Sequence, residues 1–196
     1  MANCHAVHYY FVMIPLAASD GGVHRMSFAA FEQAIEAPAL RAIARHWNAV
    51  RGERRLPGWR DIRPSAIAAH LPLIWSYRYD RQADRFVGRL AGDSIEAVFS
   101  HSFRGAPMEE LFPPAALAHY TARHRRVVME LCFFRGHGQV FDHLGRMGLG
   151  ERIILPLADN GVEGDGILGA TLYDPAAPAA RDALSGGEIE EWFPLG

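Results

Sequence analysis

A chain of 196 residues with 49% hydrophobic, 21% charged and 11% aromatic residues fits one globular unit able to bury a core without disulfide or metal staples. Twenty basic against 22 acidic residues give a formal net charge of −2, no attractive field for a phosphate backbone or an anionic bilayer, so neither nucleic acid nor membrane is expected as a partner. All twenty basic residues are arginine, and a chain without a lysine amine forms no Schiff base, phosphate-loop lysine contact or Ser-Lys dyad.

Cys4 and Cys132 are too few for a disulfide scaffold, which points to a reducing, cytoplasmic setting. The apolar run Ala6 to Ala18 has no arginine before it, is broken by His8 and Pro15, and is too short to span a bilayer. A strand, a frayed extension or coding upstream of Met26 is expected there rather than a cleaved leader. Ser27 is a good helix cap, with Phe28, Phe31 and Ile35 following at helical spacing. Leu40, Ile43, Trp47 and Val50 form the apolar stripe of a second helix that begins at Pro38 and stops at Gly52. Residues 53 to 64 carry two prolines, a glycine and four arginines, and predict an exposed connector into a short helical turn at 65 to 70.

From Leu73 the apolar period becomes two: Leu73, Trp75, Tyr77 and Tyr79 alternate with Ile74, Ser76, Arg78 and Asp80, and Phe86 to Ala91 returns as a hairpin. Asp93 with Glu96 predicts a capping box for a short helix, and a second short helix is expected at Met108 to Leu111. Residues 114 to 134 predict one long helix whose stripe is Leu117, Tyr120, His124, Val127, Val128, Leu131 and Phe134. Strands are expected at 139 to 144, 152 to 158 and 167 to 173, with the two distant β segments neighbours in one antiparallel sheet. Residues 175 to 196 open as a Pro/Ala linker and close with a short apolar tail of Ile189, Trp192 and Phe193.

Two strands, a helical insert and three strands follow the order of the PAS fold. The local run is more specific: Trp47, Arg51-Gly52, Leu56-Pro57, Asp61-Ile62, Pro64, Leu71-Pro72, Arg89-Leu90-Ala91-Gly92, Phe103-Arg104-Gly105, Leu111, Leu155-Pro156-Leu157 and Leu168-Gly169. Over residues 38 to 174 this run resembles an uncharacterised bacterial PAS-like family, departing from it at Asp93, where a small hydroxylated residue is usual, and at Ser100, where glycine is. The fold class implied is α+β: a PAS-like five-stranded antiparallel sheet with helices on one face. Residues 1 to 37 are then an N-terminal helical extension, 38 to 174 the PAS-like domain, and 175 to 196 a C-terminal linker and tail. The resemblance implies a sensory or regulatory module that binds a small molecule or a partner protein and signals in trans.

The residues carry little sign of chemistry. Cys4, His5 and His8 lack a second ligand pair at zinc spacing, and His119 and His124 lie about 140° apart around their helix, so neither set predicts a metal. His124 is read as a core histidine rather than a haem ligand. Gly136-His137-Gly138 has Phe141 where a dinucleotide loop has its third glycine, Ser94 lacks the last glycine of a nucleophile elbow, and Asp159 to Gly166 suits a wide hairpin turn. Arg123, Arg125 and Arg126 are expected on a solvated helix face. An enzyme is therefore not expected, an unrecognised long-range constellation ranking third behind a sensor and an interaction module, and no cofactor is assigned. The candidate ligand pocket gathers Trp75, Tyr77, Phe86, Arg89, Phe99, Phe103, Phe112, Tyr120, His124 and Phe141. The alternative is a ligand-free interaction module, a homodimer or a partner to another signalling protein, through apolar surface at Phe28, Phe31, Ile35, Trp192 and Phe193.

Overall fold

The computed structural model describes residues 20–99, 102–141, 149–174 and 187–195, with side chains from residue 27 onward. The readings placed on Cys4, His5, His8, the leading apolar run, Ser100 and the Pro/Ala linker lie outside the described residues.

Helix α1 (Asp20–Ala34) is followed by α2 (Pro38–Arg51), which starts with proline in its first turn and ends at Gly52, whose φ of 61° suits a residue without Cβ. Two 3-10 turns, Trp59–Asp61 and Pro64–Leu73, lead into strands β1 (Ile74–Asp80) and β2 (Arg85–Ala91). The insert holds α3 (Asp93–Glu96), α4 (Met108–Leu111) and α5 (Pro114–Glu130). Strands β3 (Cys132–Gln139), β4 (Leu149–Leu157), β5 (Gly166–Asp174) and β6 (Glu188–Pro194) complete one sheet in the order β2-β1-β5-β4-β3-β6. Every pairing is antiparallel, and β1 joins β5 from Ile74↔Ala170 to Arg78↔Gly166, so the two distant β segments are neighbours, as expected.

The sheet departs from the sequence reading in three ways. It has a sixth strand, because the tail is not an appendage: β6 pairs with β3 from Cys132↔Pro194 to Gly138↔Glu188. The long helix stops early. Leu131 turns the chain into the left-handed region at φ 51°, so Phe134 belongs to β3 and the strand occupies 132–139 rather than 139–144. The helices cover both faces rather than one. Leu40, Ile43, Ala44 and Trp47 of α2 bury against Phe133, Ile153, Leu155, Leu168 and Ala170, while Tyr120, Val127 and Val128 of α5 bury against Trp75, Tyr77, Phe134, Ile154 and Ile167. Strands covered on two sides are apolar almost continuously, which Ile153-Ile154-Leu155 displays.

Burial also corrects the interface set. Ser27 lies inside α1 and its hydroxyl donates to the Pro194 carbonyl, tying that helix to the end of β6. Phe28, Phe31 and Ile35 are at most 5% exposed, with Phe31 stacked 4.8 Å from Phe133 and 5.5 Å from Phe193. Trp192 points to the other face, 4.8 Å from Phe134 and beneath the Arg126 guanidinium at 4.2 Å. Phe28, Phe31 and Ile35 close the chain on itself and are not a free apolar surface, while Trp192 and Phe193 pack on the sheet half-buried. At the small helices, Gly92 rather than Asp93 occupies the cap of α3, and no side chain caps it.

Phe133 meets Phe28, Phe31 and Trp47 at 5.8, 4.8 and 5.2 Å. Phe133→Ala is expected to lower unfolding free energy by about 3–5 kcal/mol, read as an earlier urea midpoint at unchanged slope.

Candidate functional site

Between the sheet and α3–α5, strand alternation aims Trp75, Tyr77 and Tyr79 at the helices and Ile74 at the opposite core. Trp75 lies flat across β5 because its cross-strand partner is Gly169; a Cβ there would stand 2.2 Å from the indole. The indole Nε1 donates to Thr171 Oγ1 at 2.9 Å. Tyr77 is central, its ring 4.8 Å from Phe103, 5.4 Å from His124 and 5.8 Å from Trp75. Tyr120 and His124, four residues apart, share one face of α5. From the insert come Ile95, Phe99, Phe103 and Phe112, with Phe112 4.8 Å from Tyr120. Phe141 enters from beyond β3 and Arg152 from β4.

These side chains surround a space of about 20 Å³, room for roughly one water. Three of its lining residues hold buried polar atoms, the Tyr77 hydroxyl, His124 Nδ1 and Arg152 Nη2, that hydrogen-bond to no other described group. Burial holds the Tyr77 hydroxyl well above the usual phenol range, against a smaller opposing pull from Arg152, so it stays protonated. Burial, then the charges of Arg123 and Arg152 and the neighbouring His119, hold His124 well below the ordinary imidazole range, so the ring is neutral. The wall is aromatic and its polar atoms are mainly donors, a setting for a compact molecule that carries an acceptor.

One wall continues into a buried layer of charge. Arg152 Nε stands 2.8 Å from Glu188 Oε1, and Arg123 Nη2 stands 2.9 Å from Glu188 Oε2 and 2.5 Å from Glu190 Oε1. The Arg152–Glu188 contact has the separation of an ion pair without the alignment of a hydrogen bond. Burial alone would weaken Arg123 as a base, but Glu188 and Glu190 more than offset it. The guanidiniums also lie over aromatic rings, Arg123 at 4.5 Å from Phe134 and Arg152 at 5.1 Å from Phe141.

Of the ten candidate pocket residues, Trp75, Tyr77, Phe99, Phe103, Phe112, Tyr120, His124 and Phe141 line this space. Phe86 stands behind it, 5.6 Å from His124 and 4.7 Å from Tyr79. Arg89 does not belong to it: three residues after Phe86 it points to the other face, where its guanidinium lies 5.0 Å over Trp59. Arg123 is also corrected. It is 3% exposed and paired, whereas Arg125 sits outside with Asp84. The sequence reading missed Ile95, Arg152 and Glu188. The available signal was Glu151-Arg152 at the head of an unbroken apolar strand, since a charge on a doubly covered strand must be buried and paired.

Cys132 is buried and its thiol is pushed up to about 12, chiefly by desolvation, so it is a poor nucleophile. Among the described residues no group of three or more His, Cys, Asp or Glu could hold a metal ion, and no helix is long and apolar enough to cross a membrane. A second concavity of about 300 Å³ lies on the opposite side, lined by Trp59, Arg60, Ile62, Ile67, Leu71 and Leu90 among others. It has no buried unpartnered polar atom among its lining residues.

A family model described as the PAS domain matches residues 35–172. No curated protein and no solved structure matches the chain.

His124 makes the stability depend on pH in one direction. The unfolded chain protonates this ring near its ordinary value of 6.5, and the folded chain does so only well below it. Its contribution is therefore complete above pH 6.5 and is lost as the pH falls, at about 1.4 kcal/mol per pH unit. Denaturant unfolding between pH 7 and pH 5 is expected to show that slope reduced by about this amount in His124→Phe; an unchanged slope would contradict the neutral buried ring.

Proposed function

Because the chain belongs to the PAS domain family, whose members are in general sensory, regulatory or interaction modules, we propose that it receives a small molecule between the sheet and α3–α5 and passes that event to a separate protein. The observation that carries this reading is the set of buried polar atoms at Tyr77, His124 and Arg152 around one aromatic-walled space. A polar atom buried without a hydrogen bond costs about 1–3 kcal/mol, so three around one space favour an arriving group that satisfies them. The aromatic walls supply apolar contact for the body of the ligand, and the donors of Arg152 and Tyr77 orient its acceptor. A ligand larger than a water enters by displacing rings such as Phe99, which is only half-buried. The burial of Phe28, Phe31 and Ile35 removes the main support for the alternative, a module that acts only through those apolar surfaces.

Tyr77→Phe deletes one oxygen and tests this. Without ligand the variant is expected to be more stable by about 1 kcal/mol, because an unpartnered buried hydroxyl is gone. Melting curves are then recorded with acetate, acetamide, benzoate, benzamide and indole. At least one compound is expected to raise the wild-type midpoint by several degrees, with a smaller rise in Tyr77→Phe. Shifts that Tyr77→Phe leaves intact would place binding elsewhere, and a Tyr77→Phe protein less stable than wild type would mean the hydroxyl is already satisfied.

A further inference from the structure

Resting on that reading, we propose that the ligand carries a single negative charge, in the manner of a small carboxylate, and that this charge takes the place of Glu188 on Arg152 and frees the first two residues of β6 from the sheet.

Arg123 and Arg152 face Glu188 and Glu190, two positive against two negative groups, with His119 Nε2 3.1 Å from Glu190 at the exposed end. An anion added to this balanced set leaves an uncompensated buried charge unless a carboxylate leaves, and taking a lone charge out of water is costly. Exchange keeps the buried charge constant: the ligand's carboxylate comes in and Glu188 goes out to water. A neutral ligand would leave the ion pairs as they are, and a cation would meet two guanidiniums.

Glu188 is placed for that exchange. It contacts Arg152, a wall of the cavity, and both of its oxygens lack an aligned hydrogen bond, so the pair is poorly matched geometrically. Its carboxylate occupies room that a side chain on β3 would fill, since a Cβ on Gly136 would stand 2.1 Å from Glu188 Oε1. Among the described residues, strand β6 forms one edge of the sheet and is hydrogen-bonded on one side only, to β3. Its trailing half has separate anchors: Trp192 between Phe134 and Arg126, and Phe193 on Phe31. Glu191 meets Arg135 on the opposite face and takes no part in the exchange. Release is therefore confined to Glu188 and Ile189, with Glu190 staying on Arg123 and His119, and it bares the His137–Gly138 edge of β3, a free strand edge that a partner can pair with.

Amide hydrogen exchange on the full chain tests this, followed at residues 188 and 189, at 190–193 and in β5. The probes are sodium acetate and sodium benzoate against acetamide, benzamide and sodium chloride at equal ionic strength, with binding monitored by the ring signals of Trp75 and His124. The carboxylates are expected to speed exchange at 188 and 189 by about tenfold or more, with β5 unchanged and the neutral amides without effect. Glu188→Gln and Gly136→Ala, which break the contact by charge and by shape, are expected to speed the same amides without any ligand. Carboxylates that perturb Trp75 and His124 while 188 and 189 exchange at the chloride rate would overturn the exchange mechanism and leave the binding site standing. If no probe in the series perturbs those rings, the binding site itself falls, and this inference with it.

Discussion

A sheet covered on both faces leaves a charged strand residue no path to water. The central strands β3, β4 and β5 have helix α2 and its neighbours on one side and α5 on the other. Arginines on these strands must therefore be neutralised where they stand. On one side Arg135 is met by Glu151, Glu36 and Glu191, and Glu151 also accepts the backbone amides of Glu36 and Ala37 at the start of α2. On the other side Arg152 is met by Glu188. The neighbours Glu151 and Arg152 thus belong to different layers, as strand alternation requires.

That constraint explains why the last strand matters. β6 alternates as the others do: Glu188, Glu190 and Trp192 face α5, while Glu191 and Phe193 face α1. Its carboxylates are the counter-charges of arginines anchored elsewhere, on α5, β3 and β4. Without them Arg123 and Arg152 would have no opposing carboxylate among the described residues, while Arg135 would keep Glu151 and Glu36, so the strand is part of the electrostatics of the core and not an accessory to it. The same arrangement brings a chain-terminal element within one ion pair of the cavity wall. The coupling proposed between the cavity and this edge strand rests on that adjacency and needs no longer chain of contacts.

The aromatic side of the sheet is shaped by what is absent from its neighbours. Gly169 makes room for the Trp75 indole and Gly136 for the Glu188 carboxylate, so large groups lie across strands where a Cβ would collide with them. Tyr77, His124 and Phe103 then close around a space about one water in size. Such an interior packs nearly as tightly as an ordinary core, and what distinguishes it is the polarity left at Tyr77, His124 and Arg152.

That eight of the ten residues around the cavity lie together is expected only from the resemblance to the PAS fold. The sequence by itself determined the α+β class, the antiparallel hairpin from Ile74 to Ala91 and the stripe of α2, because these are set by local periodicity, which one strand or helix displays alone. It could not determine where α5 ends, since nothing in the run Val127 to Phe134 distinguishes a helical stripe from a strand buried on both faces until Leu131 turns the backbone. Nor could it assign Glu188, Arg152 and Arg123 to one another. Phe28, Phe31, Trp192 and Phe193 look like spare apolar surface for a similar reason, because the strand Phe133-Phe134 that they cover lies many residues away along the chain. Only the tertiary structure decided these points, because the energy of a buried charge or an apolar face depends on which groups surround it in space, and for these residues the partners are supplied by distant segments.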